Sequence, residues 1–471
     1  MVFSTPIFLF LFLPLFLGAY YLTPFRFRSL LILVSSYVFY GWWRVDFLGL
    51  FFGVTLLSYL AGLGVANAQT KRTAKLYLTL GVVGDLAALA YFKYFNFGVD
   101  SLNAAFAGVG LPVFSAWEVV LPIGLSFYTF QAMSYIIDVY RKDAPPARNF
   151  WDLSAFIALF PQLIAGPVLR YKDLADQFRA RTHTSQKFSE GAMRFMVGFC
   201  KKVLIADGVA TLADRVFATS DPTAATAWIG ALAYTVQLYF DFSGYSDMAV
   251  GLGLMMGFRF MENFNHPYIS RSITEFWTRW HISLSSWLRD YLYIPLGGNR
   301  RGASRTYVNL LLVMLLGGLW HGANWTFVLW GAWHGSFLVI ERYLGKRKLW
   351  RPLPAVLGIP KTMLIVTVGW VLFRATSVGG AWSIVRGMAG ANGWALNQGF
   401  SWELTGLEAT TLILGLVLIY VAPWWRALLW RLPVKRQETL QNVHLLVLPL
   451  FILGIFRLSA QSFSPFLYFQ F

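Results

Sequence analysis

Apolar runs long enough to cross a bilayer recur from one end of this chain to the other, and the stretches between them are short and basic. A hydrocarbon core about 30 Å thick needs roughly 20 apolar residues per helix, and inside it only helices or closed barrels satisfy the backbone. Candidate helices fall at residues 6–22, 29–43, 47–67, 76–96, 119–140, 152–168, 190–218, 225–257, 305–341, 356–374, 404–422 and 443–462. The first run has no basic segment before it and no small-residue cleavage site after it, so it reads as a retained helix rather than a secretory signal. Several runs are interrupted, which sets the expected count at about 10–13. No stretch is left over for a sizeable soluble domain, so residues 1–471 read as one all-α polytopic membrane domain. Charged residues make up 13% of the chain, against about 25% in soluble domains.

The net charge of +17 does not point to nucleic acid, because the basic residues are spread among the connections. Lys71, Arg72 and Lys75 form one cluster, residues 170–187 a second, and Arg342, Lys346, Arg347, Lys348 and Arg351 a third. Loops of this kind tend to stay cytoplasmic, facing anionic lipid headgroups or a phosphorylated cofactor. The single cysteine, Cys200, excludes an intrachain disulfide; Lys201 and Lys202 beside it would favour a thiolate, although a lone cysteine in an apolar helix is ordinarily packing.

Two regions depart from the apolar pattern. Residues 258–302 are too polar to span lipid and too aromatic to be a solvated linker, which suggests short amphipathic helices at the interface or dipping into a protein-lined cavity. Within them Phe276, Trp280, Ser283, Trp287 and Tyr291 recur at helical spacing. The second region, LLGGLWHGANWTFVLWGAWHG from Leu315 to Gly335, places His321 and His334 in tryptophan-rich apolar sequence. Ionisable residues inside a membrane are costly and usually functional, and histidine takes and returns a proton near neutral pH.

On one unbroken helix His321 and His334 would stand about 20 Å apart on opposite faces, so they share no metal unless the helix breaks at Gly322 and Asn324. No His-Glu-x-x-His pattern or cysteine pair supplies further ligands, and no metal is expected. His183 and His444 read as structural loop and helix-end residues. There is no G-x-S-x-G elbow and no phosphate-binding G-x-x-x-x-G-K-[ST] loop, which argues against an α/β hydrolase or a P-loop ATPase. No histidine has an aspartate at the fourth or fifth following position, so an acyl transfer would use another layout.

As a set, LPIGLSFYTFQAMSYIIDVYR at 121–141, FPQLIAGPVLR at 160–170, QLYFDFSGYSDMAVGLGLMMGF at 237–258, HPYISRSITEFWTRWHISLSSWLRDYLYIPLGGNR at 266–300 and GGLWHGANWTFVLWGAWHG at 317–335 resemble the membrane-bound O-acyltransferase superfamily. The likeness is to its bacterial branch of alginate O-acetylation and teichoic-acid D-alanyl transfer proteins, and FMENFNHPYIS and LRDYLYIPLGGNR favour the alginate side. The resemblance implies about eleven membrane helices, with shorter re-entrant and interfacial helices around a tunnel. It also implies a catalytic histidine in the WHG motif, matched by His321, with an upstream companion matched by His281.

A hydroxyl is a poor nucleophile at neutral pH, and a neutral imidazole within hydrogen-bond reach removes its proton as it attacks a thioester. A second histidine or Asn324 would then steady the developing oxyanion. Weaker roles go to His334, Asp241, Tyr245 and Asp290 along the tunnel, and to Arg300 and Arg301 at the donor's phosphates. Helix-to-helix hydrogen bonding remains the competing reading for Asp241 and Tyr245, an ordinary cytoplasmic turn for Arg300 and Arg301, and an interfacial tuning residue for His281.

The implied activity moves acetyl from a cytoplasmic donor, acetyl-CoA, across a bacterial inner membrane to periplasmic partner proteins that modify alginate, with no permanently bound cofactor. The alternatives are transfer to cellulose, peptidoglycan or teichoic acid, or a transporter in which no acyl bond changes.

Overall fold

The computed structural model describes residues 1–347, 353–429, 447–460 and 467. It is helical, with no strand among the described residues, and divides into two compact units: Met1–Ala192 with Ala249–Met261, and Met193–Met248 with Glu262–Phe471.

In the first unit a π-helical turn, Phe8–Phe12, leads into α1 (Leu13–Leu22), followed by α2 (Arg28–Gly41), α3 (Leu48–Asn67), α4 (Lys71–Gly108), α5 (Leu125–Arg141), α6 (Phe150–Ala158), α7 (Phe160–Leu163), α8 (Tyr171–Arg179) and the start of α9 (Ser185–Cys200). At 38 residues α4 runs about 57 Å, well beyond a hydrocarbon core. Lys71, Arg72 and Lys75 therefore lie on its first turns rather than in a loop, where Thr70 caps it by accepting from Thr73 N at 3.1 Å.

The candidate at 119–140 becomes helical only at Leu125, and that at 152–168 breaks at Leu159 (φ −50°, ψ 100°), two residues before Pro161. α3, α4 and α5 pack on one another and bury two ionisable side chains of α4. Ser58 donates to Asp85 at 3.1 Å, and Lys93 donates to Ser126 at 3.1 Å.

The second unit continues through a π turn, Lys201–Ala206, into α10 (Asp207–Phe217) and most of α11 (Ala224–Met255). Then come two seven-residue helices, α12 (Ile273–Arg279) and α13 (Ile282–Leu288), followed by α14 (Ala303–His321), α15 (Trp325–Lys346), α16 (Ala355–Arg374), α17 (Val378–Met388), α18 (Phe400–Glu403), α19 (Gly406–Leu429) and α20 (Val447–Ala460). The candidate at 305–341 is thus two helices forming a hairpin, with the turn at residues 322–324.

Glycines let the hairpin close. A Cβ at Gly318 would stand 2.2 Å from the Phe327 carbonyl oxygen, and one at Gly331 would stand 2.4 Å from that of Met314. Small residues at a helix crossing allow backbones to approach in this way.

Five described helices are long and apolar enough to cross a membrane: Leu48–Asn67, Lys71–Gly108, Ala303–His321, Ala355–Arg374 and Gly406–Trp424. Phe8–Leu22 and Val447–Ala460 are shorter apolar helices. Lys348, Arg351 and His444 lie outside the described residues, as does part of the 443–462 candidate.

Candidate active site

His281 sits at a corner. Phe276, Trp280, Ser283, Trp287 and Tyr291 are all buried, as one helical stripe predicts, but the helix is broken in the middle. α12 ends at Arg279, and His281 takes left-handed backbone angles (φ 44°, ψ 53°) before α13 begins. For a residue other than glycine such a conformation costs about 1–2 kcal/mol. Asn263 helps to hold it: its carbonyl accepts from Ile282 N at 3.0 Å, and its side-chain oxygen accepts from Ser283 Oγ at 2.8 Å.

The start of α12 is anchored from α15. Glu341 accepts from Ile273 N (2.9 Å), Thr274 N (2.9 Å) and Thr274 Oγ1 (2.8 Å), a carboxylate on a helix N-terminus where the backbone dipole favours it. Ser272 adds a conventional cap through Glu275 N at 3.0 Å.

His321 is the last residue of α14 and is buried. Its ring lies 6.2 Å from that of His281, centroid to centroid. Aromatic rings wall in the pair: Trp320, Trp330 and Phe373 stand 5.0, 5.2 and 5.2 Å from His321, and Phe242 stands 4.7 Å from His281. His334, on α15, is completely buried among Trp277, Trp330 and Trp370, at 5.2, 5.2 and 6.2 Å. Trp330 therefore touches both histidines of the WHG segment. Behind Trp280 the chain of stacked rings continues to Tyr268, which lines a cavity of about 210 Å³ together with Trp228, Thr367 and Tyr420.

The other residues singled out from sequence are held differently. Asn324 caps α15: its side-chain oxygen accepts from Thr326 N at 3.0 Å and its amide nitrogen donates to the Thr376 carbonyl at 3.0 Å. Asp241 pairs with Lys202 at 2.8 Å, and Lys202 pairs in turn with Asp207 at 2.6 Å; all three side chains are less than a tenth exposed. Tyr245 is buried one turn further along α11. Asp290 pairs with Arg289 at 2.7 Å.

Arg300 and Arg301 are exposed in the loop before α14. Helix rise puts that loop about 30 Å from His321 along α14. Beside Cys200, Lys201 is paired with Asp247 (2.6 Å) and Lys202 with its two aspartates, so both ammonium charges are directed at carboxylates rather than the thiol. Among the described residues no three His, Cys, Asp or Glu side chains come together to hold a metal.

Sequence reasoning missed Asn263 and Glu341, while the tryptophan-rich surroundings of His321 and His334 were legible. Asn263 carried a faint signal, as one of two asparagines in the polar stretch before the corner; Glu341, as a carboxylate near the end of an apolar run, carried a clearer one.

The family model for the membrane-bound O-acyltransferase family matches residues 147–368, a span that contains His281, His321 and His334. A probable alginate O-acetylase of Azotobacter vinelandii is 56% identical, with all of both chains covered. A peptidoglycan O-acetyltransferase of Helicobacter pylori is 36% identical over 84% of this chain and 81% of its own. A teichoic acid D-alanyltransferase of Bacillus subtilis is 29% identical over 53% of this chain and 68% of its own. A buried, aromatic-walled pair of histidines inside the matched span, together with full-length likeness at this level, places the chain in the membrane-bound O-acyltransferase family.

Proposed function

We propose that this protein transfers acetyl from an acyl thioester, acetyl-CoA, to hydroxyl groups destined for alginate, with His321 as general base and His281 as its companion. The carrying observation is the 6.2 Å between the two buried rings. That spacing puts both imidazoles beside one reacting centre, so that one can reach the attacking hydroxyl and the other the acyl carbonyl oxygen. His321 takes the hydroxyl proton as the oxygen attacks the thioester carbonyl, and His281 donates toward the negative charge that develops there. The aromatic wall keeps water from competing for the acyl group.

Alginate is favoured over peptidoglycan by the relatives: 56% identity to a probable alginate O-acetylase over the whole chain, against 36% to a peptidoglycan O-acetyltransferase over part of it. In this reading the protein sits in a bacterial inner membrane, takes its donor from the cytoplasm through a tunnel, and passes acetyl to periplasmic proteins that modify the polymer. The exposed Arg300 and Arg301 are too far along α14 to touch a thioester at His321, so any part they play is at the phosphate end of the donor.

The test is the acetyl content of alginate exported by cells whose only copy carries His321→Ala. Acetylation is expected to disappear at normal membrane levels of the protein. Wild-type acetyl content would overturn the assignment.

A further inference from the structure

Asn324 was the sequence's alternative oxyanion donor, but its amide is engaged at both ends, the oxygen capping α15 and the nitrogen donating to the Thr376 carbonyl. The aromatic wall holds another donor. Trp330 is 1% exposed, its indole lies 5.2 Å from the His321 ring at 83°, and its Nε1 is buried with no hydrogen-bond partner. Trp277 Nε1 and both ring nitrogens of His334 are likewise buried without a partner, and these rings are packed on Trp330 at 5.5 and 5.2 Å. Buried polar groups in native proteins are nearly always paired, so several unpaired ones in one box call for a ligand that reaches them. The box offers indole N–H donors and imidazoles, which suit a neutral or negatively charged oxygen acceptor.

We infer that the Trp330 indole N–H is a catalytic hydrogen-bond donor to the acyl carbonyl oxygen, with Trp277 and His334 packed against its ring. The inference rests on the reading of His321 as the base. The acceptor oxygen forms its bond to the thioester carbonyl carbon while its proton passes to His321. The carbonyl π pair moves onto oxygen, which accepts from Trp330 Nε1. When the carbonyl re-forms, the carbon–sulfur bond breaks and the departing thiolate takes the proton back from His321. Atoms and charges balance with no further reactant. An indole N–H that is unpaired in the resting protein and paired when charge develops stabilises the transition state more than the ground state, which is how binding energy raises turnover.

Trp330→Phe removes the donor and keeps an aromatic ring. In cells of an alginate producer whose only copy is the variant, at matched protein levels, the rate of alginate acetylation is expected to fall about 10²–10³-fold. The narrower ring leaves a small cavity, so a modest fall in the melting temperature of the purified protein is expected and rates are compared per folded molecule. If Trp330→Phe fails to accumulate, replacing Trp330 by benzothienylalanine exchanges the N–H for sulfur at nearly constant shape. Loss of acetylation in that protein supports the inference, and wild-type acetylation in either variant overturns it. His321→Ala separates the two levels: if it also acetylates normally the site itself is wrong, whereas an inactive His321→Ala beside an active Trp330→Phe removes only the role of Trp330.

Discussion

Two clusters of buried polar residues in the second unit are built on opposite principles. Around Lys202 every charge faces its counter-charge: Lys202 meets Asp207 and Asp241, and nearby Lys201 and Arg194 both meet Asp247, at 2.6 and 2.7 Å. Around His321 the enclosure is aromatic: rings surround two imidazoles, and Trp330 and His334 keep buried polar atoms unpaired. A saturated network has little left to give a substrate and fixes the helices that carry it. An unsaturated one in apolar surroundings keeps donors available to a substrate, which is why the proposed chemistry lies at the histidines and the stability at the lysines.

The sharpest way to break this contrast is Lys202→Met. Removing one partner of a buried ionic group costs about 3–5 kcal/mol because carboxylates are left uncompensated. Chemical denaturation should show that loss, while acetylation per folded molecule stays at the wild-type level. A large fall in turnover without a fall in stability would reverse the assignment of roles. The mirror experiment is His281→Asn, since asparagine tolerates the left-handed corner. Turnover should fall about 10²-fold with the melting temperature close to wild type; unchanged turnover would reduce His281 to a corner residue.

Next in size is Gly318→Ala, which puts a methyl group against the Phe327 carbonyl. Overpacking of this kind costs about 1–3 kcal/mol, and it should lower both stability and turnover by displacing His321 at the end of the same helix.

The smallest effect concerns His183 in the first unit, outside the membrane-spanning helices. Burial, then the Arg28 and Arg181 guanidinium groups, lower its pKa to about 4 from the usual 6.5. The folded protein holds it neutral where the unfolded chain would be protonated, so its contribution is complete above pH 6.5 and is lost as pH falls toward 4. His183→Gln should flatten that part of the stability profile; an unchanged slope would mean that the imidazole is equally protonated in both states.

The sequence and the structure agree best where periodicity and composition decide the outcome. The apolar runs mark the helices, and the Phe276-to-Tyr291 stripe is the buried one. The break at residues 322–324 was signalled by Gly322 and Asn324, whose local chemistry ends one helix and caps the next. The corner at His281 carried no such mark, because a non-glycine residue with positive φ is imposed by partners outside its own helix, such as Asn263. Pairing across 39 residues is equally silent in sequence: Asp241 looked available for a substrate route, and only the fold brings Lys202 against it. The likeness between the two WHG histidines also hid their difference in position, His321 ending a helix beside His281 and His334 lying a helix turn beyond Trp330.

The most direct test is the acetylation rate of purified His321→Ala protein, assayed with its acceptor proteins at the same folded fraction as wild type. Removing a general base should lower that rate about 10²–10⁴-fold with melting behaviour unchanged. A rate equal to wild type would contradict the assignment of the chemistry to the aromatic-walled histidines.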